Sequence, residues 1–413
     1  MQIPKRSIRR APRPDDPRIR FLIELSRALG TYGTAAHRLE ETITICASEL
    51  GLQCHVFSTP TSVFLSVEHE GSYSTYLSRI IPGEVNLGKL RQFDELFNAV
   101  LEGRLAPMAA VRKIKEIVHE PDTVPGRVDV LCIMVIAACA SVFLGGGINE
   151  LISASIIGGV IGMLGHVAAK NREHARLIEF LAGLISALIA WSMGQVLGPY
   201  APGLAMIAGI IVFMPGMTLT MSMTELATRH VVSGSARLVG ALMILLLIGF
   251  GAAIGNQGAH VLFELPDSVE PVALGTQWKV LAAFVSSLLF VVLFRARWSD
   301  AWGMILAVLV SYSSSRFGVT EFGLQFGVCF AACCVGVLGN LYARVMDRPA
   351  ATILLPGLLM MVPGSMGFKS LQMFMDQNTV SGMQSAVTVM VIGAGLVVGL
   401  LLANVLMPPR KVL

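Results

Sequence analysis

From residue 127 onward the chain alternates long apolar runs with short polar punctuation. A helix needs about 20 apolar residues to cross a hydrocarbon core about 30 Å thick. Such runs fall at 128–144, 151–169, 177–197, 202–223, 237–255, 278–294, 301–316, 323–342, 350–374 and 383–406, which predicts about ten transmembrane helices. Before residue 127 charges are frequent and the periodicities are those of a soluble domain. Residues 19–29 and 36–50 have helical spacing, with Leu39, Ile43, Cys46, Ala47 and Leu50 on one face. "CHVFS" and "TSVFLSV", separated by Thr59-Pro60, read as a pair of short strands, and helical patterns return at 88–102 and 107–118. The expected organisation is a disordered tail at 1–17, a small soluble α/β domain at 18–126, and two membrane segments at 127–260 and 275–408.

The membrane pattern repeats. "MPG" at 214–216 matches "VPG" at 362–364, and "VVSG" at 231–234 matches "TVSG" at 379–382, both 148 residues apart (216 to 364, 234 to 382). The same offset lays the first five spans on the second five. Five is odd, so the halves must cross the membrane in opposite senses. An inverted 5+5 repeat is a recurrent architecture of secondary transporters, with substrate sites near the midplane at interrupted helices.

Composition sharpens the class. Hydrophobic residues make up 54% of the chain and charged residues 14%, against about 25% charged in soluble domains. Seven Lys and Arg lie in the first 20 residues. They form a basic tail suited to anionic lipid headgroups, without the apolar core of a signal peptide. With the N-terminus inside, cytoplasmic loops and tail would hold Lys170, Arg172, Arg176, Arg229, Arg237, Arg295, Arg297, Arg344, Arg348, Arg410 and Lys411. The other side would hold Arg316, Lys279 and Lys369, with Glu264, Asp267 and Glu270 in its longest loop. That asymmetry places both termini in the cytoplasm. The seven cysteines (Cys46, Cys54, Cys132, Cys139, Cys329, Cys333, Cys334) form no CxxC pair. They read as small hydrophobes rather than as a disulfide framework or zinc site. No cofactor, metal or nucleic-acid partner is expected. Membrane lipid and a small solute are, and self-association is left open.

Candidate chemistry clusters at the two Pro-Gly pairs. Pro215-Gly216 removes a backbone donor inside an apolar span, and the freed carbonyls need partners that lipid cannot supply. Thr218, Thr220, Ser222 and Thr224 follow at once. These hydroxyls either repair a kink or line a polar cavity. Pro363-Gly364 repeats the break and is followed by Ser365 and Lys369. Ionisable groups within spans are costly and so mark functional candidates. Glu225 could take a substrate ammonium or a coupling proton, or stand at the membrane edge near Arg229. Lys369 could meet a substrate carboxylate. His166, close to Lys170, is a second coupling candidate. Glu150 and Asp300 begin spans in near-equivalent repeat positions and suit helix N-termini. In the soluble domain His37, Glu40 and Glu41 share one or two helical turns. They belong to no GxSxG, Walker A or HExxH motif, so no enzyme is expected.

"GTAAHRLEETITICASELG" and "VNLGKLRQFDELFNAVLEGRL", with "PGMTLTMSMTELATRHVVSGSARL" and "LLPGLLMMVPGSMGF" followed by "VSG", resemble the bacterial threonine/serine exporter family over nearly the whole chain. The resemblance implies a single-chain exporter of small hydroxy amino acids in the bacterial inner membrane, driven by the proton or charge gradient. It carries over Pro215, Gly216, Thr218, Thr220, Glu225, Ser233, Gly234, Pro363 and Gly364. Related proteins occur as two chains divided between the repeats, and split relatives are linked to dicarboxylate export. Export of small dicarboxylates such as succinate is therefore the alternative. A membrane-anchored hydrolase using the N-terminal domain is the other.

Overall fold

A computed structural model describes residues 16–69, 72–121, 124–169, 177–262, 269–361, 364–375 and 378–409. Of the tail expected at 1–17, all but residues 16 and 17 lies outside the described residues, and so does Pro363. The chain divides into two compact units. One comprises residues up to Val85 with Lys89–Pro121, the other Asn86–Gly88 with Asp122–Lys411.

The smaller unit contains helices α1 (Pro17–Thr31) and α2 (Ala36–Glu49), strands β1 (Gln53–Thr59), β2 (Ser62–His69) and β3 (Ser72–Arg79), and helices α3 (Leu87–Leu101) and α4 (Pro107–His119). Asp16 caps α1 by accepting from the Arg18 N–H at 2.8 Å, with Pro17 at the first position, where its missing donor costs nothing. The strands form one antiparallel sheet in the order β1-β2-β3. Val63, Leu65 and Val67 point into a core with Phe21, Leu22, Leu25, Ile43, Phe93 and Ile114, while Phe57, Phe64 and Leu77 are exposed on the other face. β3 is the element that the apolar pattern does not predict. It reads "SYSTYLSR", serine-rich with little alternation of apolar residues, so the period-2 signal of a strand is weak.

In the larger unit, the first series of helices is α5 (Gly126–Phe143), α6 (Ile148–Ala168), α7 (Ile178–Leu197), α8 (Pro202–Gly209) with a short 3₁₀ turn at Ile211–Phe213, α9 (Gly216–Ala227) and α10 (Val231–Leu262). The second is α11 (Thr276–Leu293), α12 (Ala301–Phe322), α13 (Leu324–Met346), α14 (Ala351–Leu359), α15 (Gly364–Met375) and α16 (Thr379–Leu406). Among the described residues, eight helical stretches are long and apolar enough to cross a membrane, or nine if the bent pair 202–209 and 211–227 counts as one span. The protein is thus a polytopic helical membrane protein. α12 has the length at 22 residues, but Ser311, Ser313, Ser314, Arg316, Thr320 and Glu321 dilute its apolarity. Moving Gly216–Ala227 by 148 residues gives 364–375, and every described residue of that stretch is helical.

Close helix packing repeats as well. A methyl group on Gly251 of α10 would stand 2.0 Å from the Phe180 carbonyl oxygen of α7, and one on Gly399 of α16 would stand 2.3 Å from that of Cys329 in α13. In both halves these helices meet backbone to backbone, the contact that small residues allow where lipid gives no hydrophobic drive. The first half's core of Ile157, Ile161, Met206, Ile210, Leu245 and Ile248 also takes in Phe368 from α15. The second half's core is Val328, Ala331, Val335, Leu358, Ile392 and Leu396. Between the halves, α9 packs on α14, α15 and α16, and α15 packs on α8, α9 and α10.

Candidate functional site

The fourth hydrophobic run is interrupted ahead of Pro215: α8 ends at Gly209, a 3₁₀ turn covers Ile211–Phe213, and α9 begins at Gly216. The chain bends by 53° between 202–209 and 211–227. The Gly216 N–H donates locally to the Met214 carbonyl at 2.8 Å, and Leu219 makes the first regular bond of α9, to Pro215. The N–H groups of Met217 and Thr218 donate to no backbone carbonyl among the described residues. The first turn of α9 therefore presents bare amides at the positive end of its dipole.

Buried acids hold the start of each broken run. Glu150, 3% exposed, accepts from the Gly147 N–H at 2.8 Å and from the Ala201 N–H at 2.8 Å, tying the head of α6 to the head of α8. Asp300, 2% exposed, accepts from the Tyr342 hydroxyl at 3.1 Å and pairs with Arg348, just ahead of α14. These two acids brace the interrupted helices in both halves.

The start of α9 meets Gly364 of α15. A methyl group on Gly364 would stand 3.2 Å from the Cα of Gly216 and 3.4 Å from its nitrogen. A side chain at Gly364 would press on the Gly216 backbone, so α15 and the first turn of α9 approach closely here. Gly216 and Gly364 are buried, and Ser365 is partly buried beside them.

The hydroxyl residues of α9 bond to their own helix. Thr220 donates to the Gly216 carbonyl at 3.2 Å, Ser222 to Leu219 at 2.7 Å and Thr224 to Thr220 at 3.0 Å. The carbonyls they satisfy belong to α9 itself rather than to the turn ahead of Pro215. Thr218 is partly buried at the break.

Glu225 is fully buried. One carboxylate oxygen accepts from the Ser233 hydroxyl at 2.8 Å, and the Arg237 Nε lies 3.1 Å from both oxygens. Its cation is thus Arg237 and not Arg229, which is exposed and closes α9 in a left-handed conformation with φ 65°. Arg237 corrects the loop assignment made from the charge pattern. It lies inside α10 and faces α9. The missed signal was geometric: in a helical hairpin turning at 228–230, Ser233 and Arg237 share one α10 face at i,i+4 spacing, opposite Glu225.

Lys369 is exposed on α15, between the buried Phe368 and Ser370, which lie on opposite sides of the helix. His166 is exposed near the end of α6, where its ring lies over Gly126: a methyl group there would fall 2.1 Å from the imidazole Cε1. Neither is brought to the meeting of α9 with Gly364 by a recorded contact. In the smaller unit, Glu40 accepts from the Ser58 N–H at 2.7 Å and ties α2 to β1, and Glu41 is exposed. Desolvation pushes the Cys46 thiol up to about 12 and that of Cys54 to about 11, so neither is an activated thiolate. Among the described residues, no group of three or more His, Cys, Asp or Glu is placed to hold a metal ion.

A bundle of long apolar helices, one of them bent by 53° ahead of α9, defines a polytopic helical membrane protein. Residues 20–257 match a family described as "Putative threonine/serine exporter", and residues 279–406 match "Threonine/Serine exporter, ThrE". The chain belongs to the threonine/serine exporter family. That kinship points to membrane transport rather than catalysis.

The chain is also similar to fungal proteins named pheromone-regulated membrane protein 10. It is 26% identical over 385 residues to that of Candida albicans, covering 89% of this chain and 34% of the relative. For Eremothecium gossypii the identity is 24% over 365 residues, covering 86% and 49%. For Debaryomyces hansenii it is 25% over 378 residues, covering 86% and 36%. The chain thus spans half or less of the length of these curated relatives. No solved structure matches it.

Proposed function

We propose that this protein exports small amino acids of the threonine/serine type by alternating access between two inverted five-helix repeats. The observation that carries the reading is the contact of Gly216 with Gly364. The N-terminus of α9, packed against Gly364 inside a membrane bundle, puts positive potential where a substrate carboxylate would bind. The bare Met217 and Thr218 amides supply donors, and Thr218 and Ser365 supply hydroxyls for the polar remainder. Rocking one repeat against the other would expose this point to each side in turn. With an odd number of spans per repeat, loops 228–230 and 376–378 would then lie on opposite sides, with both termini in the cytoplasm of a bacterial cell. The gradient that drives export would be protons or membrane potential.

A second reading, export of small dicarboxylates, rests on the same site: the α9 N-terminus can take one carboxylate of such a solute. The test is transport in proteoliposomes, with labelled threonine, serine and succinate under an imposed pH gradient. Replacing Pro215 and Gly216 by Ala, and Pro363 and Gly364 likewise, should abolish transport of the true substrate at normal expression. A continuous helix would satisfy the amides internally. Wild-type rates in both double variants would remove the broken helices from the mechanism.

A further inference from the structure

Arg237 is held by only one of its nitrogens. Its Nε faces the Glu225 carboxylate, and among the described residues its guanidinium makes no other hydrogen bond. The side chain is 17% exposed. A guanidinium carries five N–H donors in a planar fork that matches a carboxylate two bonds at a time. Keeping such a group largely out of water with its Nη edge unused is costly.

The second repeat shows that a hairpin of this shape does not need the pair. Moved by 148 residues, Glu225 becomes Met373 and Arg237 becomes Ser385, and the Ser385 hydroxyl stands 3.5 Å from the Met373 sulfur. The hairpin contact itself is shared: Gly234 lies against Leu226 in one repeat and Gly382 against Phe374 in the other. The charges are therefore extra to the fold of the hairpin.

We propose that Arg237 is a receptor for the substrate's carboxylate, its Nη edge taking the anion while Nε stays on Glu225. This rests on the reading that the protein exports small carboxylate-bearing solutes. Glu225 keeps the empty site neutral, so the membrane never holds a bare cation. The nine residues from Gly216 to Glu225 span about 13 Å of helix. Arg237 thus marks a second station, toward the 228–230 turn and distinct from the meeting of α9 with Gly364. With only Met373 and Ser385 at the equivalent place, the route has such a station at one end alone.

The test uses the full chain, purified and reconstituted, with threonine, serine, succinate and threoninamide as probes. Arg237→Lys keeps the charge on Glu225 and removes the fork. It should weaken binding of whichever carboxylate probe the wild type takes by about ten- to a hundredfold, the value of charged hydrogen bonds. Threoninamide, which lacks the carboxylate, should bind wild type and variant alike. The exchanged pair, Glu225→Arg with Arg237→Glu, guards against a folding artefact: it should recover the wild-type melting temperature without recovering binding. Unchanged binding in Arg237→Lys, or recovered binding in the exchanged pair, would make the pair a staple and overturn the proposal. A wild type that binds and transports none of the probes would overturn the exporter reading first, and the station with it.

Discussion

The α9–α10 and α15–α16 hairpins are related by a 148-residue offset in the sequence, yet different chemistry holds them. In the first, a buried carboxylate is clasped by Ser233 and Arg237. In the second, Ser370 donates to the Gly382 carbonyl at 2.7 Å and Ser385 approaches the Met373 sulfur. The backbone needs of a hairpin in lipid are the same in both, so the shared parts report what the architecture requires. Those parts are the glycine at each break, the glycine beneath each large apolar residue and the close helix pairs. The differing parts report what one side of the molecule does and the other does not.

The largest effect should come from breaking the charge pair from one side. Glu225→Ala leaves Arg237 without its anion in a mostly buried position, and removing one partner of a buried pair costs about 3–5 kcal/mol. Met373→Ala at the equivalent place removes an ordinary apolar side chain that is only partly buried, so its cost should fall well below that. Thermal unfolding of both variants in one detergent checks the contrast. Equal losses would mean that the two hairpins are held by packing alone.

Next come the backbone contacts that the repeats share. Gly251→Ala and Gly399→Ala each push a methyl group into a carbonyl oxygen of the neighbouring helix. Overpacking of this kind costs about 1–3 kcal/mol. The two losses should be alike, because the contact is common to both halves. Full tolerance of one and not the other would show that only one helix pair moves as a rigid unit.

A smaller contrast separates two serines at equivalent positions. Ser370 bonds across its hairpin, whereas Ser222 bonds back to Leu219 within α9. Ser370→Ala should therefore cost about 0.5–1.5 kcal/mol, and Ser222→Ala close to nothing. A Ser222→Ala variant that folds normally but loses transport would instead assign its hydroxyl to the substrate.

Much of this architecture is legible in the sequence, because helices in lipid must be long, apolar and internally bonded. Pro215-Gly216 marked where α9 begins, but the preceding helix ends earlier, at Gly209, because the chain first passes through the 3₁₀ turn at Ile211–Phe213. The start of α10 was not legible from hydropathy: "VVSGSAR" is polar, and it is helical because Ser233 and Gly234 are buried against α9. For the same reason Arg237 reads as a loop charge until the hairpin is folded and shows Glu225 opposite it. Lys369 is the reverse case. Its place after the second Pro-Gly made it a candidate, but spacing from a break does not fix which face of α15 it occupies, and it lies on the exposed one.

The smallest effect concerns the ends of the paired helices, where the repeats are again alike but unequally bonded. Asn256 and Asn404 are equivalent, 148 residues apart. Asn256 accepts from the Trp191 indole N–H at 3.0 Å, and Asn404 accepts from the Asn340 amide at 3.0 Å. Side-chain hydrogen bonds between membrane helices average about 0.6 kcal/mol in double-mutant cycles, so each pair should show a coupling of that order. Asn340 also donates to the Met407 carbonyl at 2.7 Å, which gives it a second bond that Trp191 lacks. Asn340→Ala should then cost more than Asn404→Ala, while Trp191→Phe, which removes only the N–H, should match Asn256→Ala. Equal losses for Asn340→Ala and Asn404→Ala would mean that the Met407 bond adds nothing. The polar ends of the two helix pairs would then be as interchangeable as their glycines, leaving the charge pair on α9 and α10 as the difference between the repeats that matters for stability.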